Sequence, residues 1–77
     1  MKNVLHIDIG RRIEDRRRTL SLTREELAIR TIPPMSSKYL WEVETGRKHL
    51  SAEMLRRLAI ALDVTTDWLL YLPENMM

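Results

Sequence analysis

With 77 residues the chain has room for one small domain, and without a single cysteine it has neither a disulfide framework nor a thiolate zinc site, which excludes a free-standing zinc finger. Apolar residues make up 44% and charged residues 31%, the balance of a globular domain and not of a disordered tail. The net charge of +2 is small but unevenly spread: residues 1–57 carry all 13 basic side chains and eight acidic ones, while residues 58–77 carry three acids and no Lys or Arg.

Residues 1–9 are too short a stretch, and too interrupted by His6 and Asp8, to serve as a signal peptide. No apolar run approaches the roughly 20 residues of a membrane helix. The sequence therefore predicts a cytoplasmic protein with no membrane partner. It shows no repeat, low-complexity segment or linker, so residues 1–77 read as a single domain punctuated by Gly10, Gly46, Pro33, Pro34, Pro73 and a few hydroxyl caps.

The apolar spacing is helical. Ile9, Ile13 and Leu20 share one face of a first helix expected over residues 8–19, with Asp8 as its N-cap. Thr23 and Glu26 have the form of a capping box and open a second helix carrying Leu27 and Ala28. That helix must stop near Thr31, because Ile32 precedes a proline and is pushed out of the α region. Beyond the abrupt Pro33-Pro34 connection, Ser36 caps a third helix over residues 37–45, with Leu40 and Val43 facing inward and Gly46 suited to a left-handed stop. Ser51 caps a fourth helix, where Leu55, Leu58, Ala59 and Leu62 form one apolar stripe. Thr65 or Thr66 caps a short fifth helix over residues 67–72, which Pro73 follows. The expected fold class is all-α, and two short helices joined by a tight connection describe a helix-turn-helix unit over residues 23–46.

The residues of that unit support a family resemblance. Leu22-Thr23-Arg24-Glu25-Glu26-Leu27-Ala28 followed by Tyr39-Leu40-Trp41-Glu42-Val43-Glu44-Thr45-Gly46 resembles the Cro/C1-type (XRE) helix-turn-helix family, and residues 55–64 and 66–70 resemble its fourth and fifth helices. The resemblance spans residues 9–72 with every helix in order. It implies a five-helix, lambda-repressor-like domain in a bacterial or phage-encoded regulator that binds double-stranded DNA, a repressor before an activator. It implies no enzymatic activity and no cofactor. The family includes phage repressors, restriction-modification controller proteins and antitoxins. This chain departs from the pattern in one place: Ile32-Pro33-Pro34-Met35 replaces the turn glycine and adds two residues, so the turn should be longer and stiffer.

In this fold the third helix enters the major groove. The resemblance then makes Ser37, Lys38 and Glu42 the base-contacting candidates, since lysine can donate to guanine, serine can serve several bases and a carboxylate can accept from cytosine. The competing reading of Lys38 and Glu42 is a solvated i, i+4 ion pair. By the same resemblance Thr23, Arg24, Ser36, Arg47 and Lys48 are placed beside the phosphates, where contacts position the domain without reading sequence.

Three further residues break the apolar pattern. Arg17 continues the stripe of the first helix and Glu44 borders the inward face of the third. The family often pairs an arginine and a glutamate at these places, so an Arg17–Glu44 ion pair is expected, the alternative being that Arg17 merely extends the run Arg16-Arg17-Arg18 into solvent. Trp41 falls where the family is usually polar; packing on the Pro33-Pro34 turn is preferred to contact with DNA sugar or a thymine methyl. Residues 68–72 are too apolar for an exposed strip, and within a C-terminal dimerisation segment over residues 66–77 Trp68, Leu69, Tyr71 and Leu72 are the candidates for a homodimer interface, the alternative being that most of them close the small core. His6 and His49 lack convergent ligands, so no metal site is expected. The alternative to a regulator is a protein-interaction module or antitoxin-like protein that keeps the fold for an unidentified protein partner.

Overall fold

In the computed structural model, which describes residues 4–70, helix α1 (Val4–Thr19) carries Ile9 and Ile13 on a buried stripe. It begins four residues before Asp8, so Asp8 is an exposed residue inside the helix and not its N-cap. Nothing in the preceding sequence, Val4-Leu5-His6-Ile7, breaks a helix. Arg16, Arg17 and Arg18 occupy the last turn, where cations complement the helix dipole. The stop uses Ser21 in the left-handed region (φ 59°): Leu22 N donates to Arg17 O (3.0 Å) and Ser21 N to Arg18 O (2.9 Å).

Helix α2 (Arg24–Arg30) opens on a complete capping box, Glu26 N donating to Thr23 Oγ1 (3.0 Å) and Thr23 N to Glu26 Oε1 (2.8 Å). It buries Leu27 and Ala28 and closes at Thr31. Helix α3 (Ser37–Glu44) is capped by Ser36 and helix α4 (Ala52–Leu62) by Ser51, each through a serine oxygen accepting from the backbone N–H three residues on. The left-handed stop after α3 falls on Gly46 (φ 76°), and the one after α4 falls on Asp63 (φ 57°). Helix α5 (Thr66–Leu70) follows, with Thr65 Oγ1 accepting from Trp68 N (3.0 Å). Among the described residues there are five helices and no strand, and no helix is long and apolar enough to cross a membrane.

The core draws on every helix: Ile13, Leu27, Leu40, Leu58, Leu62 and Leu69 are fully buried, with Val43 beside them. Each such side chain contributes about 1.5–3 kcal/mol of transfer free energy. Leu69 is thus part of this chain's own core, which corrects its assignment to an interface between copies: a side chain closed over by α5's neighbours has no surface left to offer. Tyr71 and Leu72 lie outside the described residues. Arg16 joins α1 to the end of α4, its Nε donating to the Leu62 carbonyl in the last turn (3.0 Å), where carbonyls lack intrahelical partners.

The long turn between α2 and α3 is closed by Thr31. Its buried hydroxyl donates to Ala28 O (2.7 Å) and accepts from Met35 N (3.1 Å), and Met35 N also reaches Ala28 O (3.2 Å). The Ile32–Pro33 peptide is cis. The extra residues bulge outward, leaving Ile32 exposed, and Arg57 Nη2 of α4 donates to the Pro33 carbonyl. The Trp41 ring is met by Arg47, as described below.

Gly10 lies in mid-helix, not at a break. A Cβ there would stand 2.3 Å from the Val43 carbonyl oxygen and 2.8 Å from that of Glu44, so the glycine lets α1 and α3 approach backbone to backbone. Intrinsic propensity alone makes a mid-helix Gly→Ala change favourable by about 1 kcal/mol. Here Gly10→Ala is expected to destabilise by about 1–3 kcal/mol through overpacking against carbonyls that cannot rotate away, measured by urea unfolding monitored by circular dichroism.

Candidate nucleic-acid interface

Helix α3 is held from behind by charge as well as by apolar packing. Glu44, whose side chain is only 1% exposed, receives a two-pronged contact from Arg17: Nε donates to Oε2 at 2.7 Å and Nη2 to Oε1 at 3.1 Å. Arg17 is itself buried and donates through Nη1 to the Leu22 carbonyl (2.8 Å). Arg24 of α2 donates Nε to the same Glu44 Oε1 at 2.9 Å and lies 3.9 Å from Glu14. One carboxylate therefore ties α1 and α2 to α3. The hydrogen bond to Glu44, outweighing desolvation, raises the Arg17 pKa above its ordinary value, so Arg17 keeps its charge despite its burial. Planar bidentate geometry of this kind is what arginine supplies and lysine does not.

This arrangement leaves the opposite face of α3 to solvent. Lys38 is exposed, and Ser37 and Glu42 are half-buried. Among the described residues no ion pair joins Lys38 to Glu42. Thr23 and Ser36 are exposed at the starts of α2 and α3, their oxygens already engaged as caps. Arg24 is one-third exposed, with its Nε committed to Glu44; sequence reasoning, which placed it beside phosphates, missed this link because a single hydrophilic arginine on a short helix carries no signal of a partner 20 residues away. Arg47 and Lys48 are exposed in the loop after Gly46. Tyr39 is half-buried behind Lys38, and desolvation pushes its phenol pKa up against the opposing influence of Arg57.

Trp41 projects from the same outer face, 39% exposed, with the Arg47 guanidinium over its ring at 5.0 Å from the centroid. At the far end of the chain Trp68 is 41% and Leu70 38% exposed, and Arg12 stands over the Trp68 ring at 5.6 Å. Among the described residues no three His, Cys, Asp or Glu side chains converge as metal ligands would.

A family model for the helix-turn-helix domain matches residues 8–69, which contain all of α2 to α4 and most of α1 and α5. The chain belongs to the helix-turn-helix family. Solved structures place it among Cro/C1-type transcription regulators. The clp gene regulator ClgR from Corynebacterium glutamicum is similar at 30% identity and a TM-score of 0.81, covering 91% of this chain and 72% of that one. The restriction-modification controller protein C.AhdI from Aeromonas hydrophila matches at 28% identity and a TM-score of 0.77, over 83% of this chain and 94% of its own. The hypothetical transcription factor NHTF from Neisseria matches at 25% and 0.81, over 94% and 79%. No curated protein sequence matches the chain. Members of the family are DNA-binding transcription regulators and not enzymes. The two-residue insertion in the turn therefore leaves the helix-turn-helix arrangement intact, because Thr31 and Arg57 absorb it locally.

The charge network carries a stability prediction. Glu44→Ala strands the buried Arg17 cation and is expected to cost about 3–5 kcal/mol in urea unfolding. Arg24→Ala should cost about 1 kcal/mol or less, because Arg24 is partly solvated and its loss leaves the Arg17–Glu44 pair whole. Equal losses in the two variants would contradict this division.

Proposed function

We propose that the protein is a sequence-specific regulator, of the repressor type, that lays α3 in the major groove of a palindromic double-stranded operator. The observation that carries this reading is the disposition of charge on α3: its one buried carboxylate is neutralised from behind by Arg17 and Arg24, while Lys38 on the outer face and Arg47 and Lys48 beyond its end stand in solvent. Ser37 and Lys38, in the first turn, and Glu42, one turn on, face the base edges. A carboxylate so near phosphates is tolerable only on the groove floor, where cytosine can donate to it. Thr23, Arg24, Ser36, Arg47 and Lys48 contact the backbone, Arg24 through the guanidinium nitrogens that Glu44 leaves over.

One helix-turn-helix domain reads only a short half-site, so a homodimer is needed to span an operator. Trp68 and Leu70 supply exposed apolar surface for it, at an end of the chain that carries acids and no Lys or Arg. The regulator acts in the cytoplasm, where its operator is.

A second reading, a protein-interaction module, is favoured by one feature. Ile32 (85% exposed) and Ile60 (68%) line an open groove with Ala52, Glu53, Arg56 and Arg57. Salt separates the two readings, because neutralising phosphates releases counterions and makes affinity fall steeply with salt.

In vitro selection from a random duplex library tests the regulator reading. It should yield two inverted half-sites about 34–36 Å apart, bound in a salt-dependent way. Lys38→Ala should lose about 1–3 kcal/mol of discrimination at one position of each half-site, whereas Lys48→Ala should weaken all sequences alike. Failure to enrich any duplex, or salt-insensitive binding, sinks the reading.

A further inference from the structure

We propose that Trp41 is a positioning residue for Arg47, holding its guanidinium at the end of α3 so that its N–H donors meet one DNA phosphate; this rests on the reading of α3 as the DNA-facing helix. An indole left 39% exposed on a short polar-faced helix is unexplained by the core, to which Leu40 and Val43 on either side contribute fully. The Arg47 guanidinium covers it at 5.0 Å from the ring centroid, within the range of a cation–π contact.

The backbone delivers Arg47 to that place. Gly46, at φ 76°, turns the chain back, and its N–H donates to Val43 O at 3.1 Å. Arg47 N donates to Glu42 O at 2.8 Å, so the arginine side chain starts from an anchored point. Gly46 is itself wedged against α1, where a Cβ would come within 2.9 Å of Ile7 Cγ1. Thr45 Oγ1 donates to the carbonyls of Trp41 (2.8 Å) and Glu42 (3.2 Å), fastening the last turn of α3.

The cation–π contact uses none of the guanidinium's N–H donors, and among the described residues no hydrogen bond engages them. Among the described residues no carboxylate pairs with Arg47, in contrast to Arg17 and Arg24, which Glu44 holds. A planar fork held in place beside a groove is matched to two oxygens of one phosphate. The indole also removes water from one side of the cation, which strengthens its attraction for an anion on the other. Trp41 therefore acts on DNA through Arg47, without carrying any charge of its own.

The experiment measures affinity for a generic 20-base-pair duplex against salt concentration for the full chain and for Arg47→Ala, Trp41→Ala, Trp41→Phe and the Trp41→Ala/Arg47→Ala double variant. Circular dichroism establishes that each is folded. Arg47→Ala should reduce the log–log salt slope by about 0.9, the loss of one phosphate contact. Trp41→Ala, which removes no charge, should bring the slope down toward the same value and weaken binding about two- to fivefold. The double variant should lose no more than Arg47→Ala alone, and Trp41→Phe, which keeps a ring face, should restore most of the slope. An unchanged slope in Trp41→Ala, or effects that simply add in the double variant, overturns the proposal while the DNA-binding reading stands. Absence of duplex binding by the unmodified chain overturns both.

Discussion

The Glu44 carboxylate is the constraint on which the rest of the molecule depends. It sits on α3, almost wholly removed from water, and is balanced by an arginine from α1 and another from α2. Burying a charge is costly unless it is paired and hydrogen-bonded, so α1 and α3 are held to arrangements in which the Arg17 guanidinium reaches the Glu44 carboxylate, and Arg24 adds a weaker, partly solvated tie from α2. Apolar packing is non-directional and tolerates sliding; a bidentate contact at 2.7 and 3.1 Å does not. Gly10 complements it from the other side of the α1–α3 contact, allowing the backbones to close to a distance at which any larger residue meets the Val43 carbonyl. Together they orient α3, and an orientation fixed from behind leaves the forward face free to be chemically diverse.

The turn between α2 and α3 shows how such a frame accepts a change in chain length. Two prolines remove two backbone donors from the segment, and the local chemistry compensates. Thr31 adds a buried hydroxyl that bridges the Ala28 carbonyl and the Met35 amide, reinforcing the backbone hydrogen bond between them. Arg57 of α4 satisfies the Pro33 carbonyl from outside, and Glu53 lies 3.7 Å from the same guanidinium. The insertion is thus pushed outward onto α4 instead of inward between α2 and α3, at the expense of exposing Ile32.

What the sequence made legible follows from the range of the physics involved. Thr23, Ser36 and Ser51 could be read as caps because a hydroxyl and the N–H it satisfies are three residues apart, and Gly46 as a stop because only glycine enters the left-handed region freely. The stops at Ser21 and Asp63 were not legible, since serine has no marked preference for the left-handed region and the modest preference of aspartate does not single out one Asp, so the hydrogen bonds that close α1 and α4 decide both. Gly10 gave the wrong signal: glycine inside a helical pattern looks like punctuation until a second backbone is known to pass beside it. Leu69 likewise reads equally well as core or as interface, because an apolar residue carries no mark of which surface covers it. Arg17 and Glu44 stand out as charges on apolar stripes, but the third member, Arg24, does not, and neither does the pairing of Trp41 with Arg47, which depends on the chain reversing at Gly46.

Functionally, the arginines divide by what holds them. Arg17 is spent on the fold, Arg24 is shared between the fold and its surroundings, and Arg47 lies on an aromatic ring with its donors unspent. This gradation runs from the core to the outer face of α3. The measurement that tests it most directly is residue-resolved NMR of the full chain titrated with duplex DNA. The account predicts that amide and side-chain signals of Ser37, Lys38, Trp41, Glu42, Arg47 and Lys48 shift together while those of Ile32, Arg56 and Ile60 stay in place. Shifts concentrated on the Ile32–Ile60 groove, with α3 undisturbed, would contradict it.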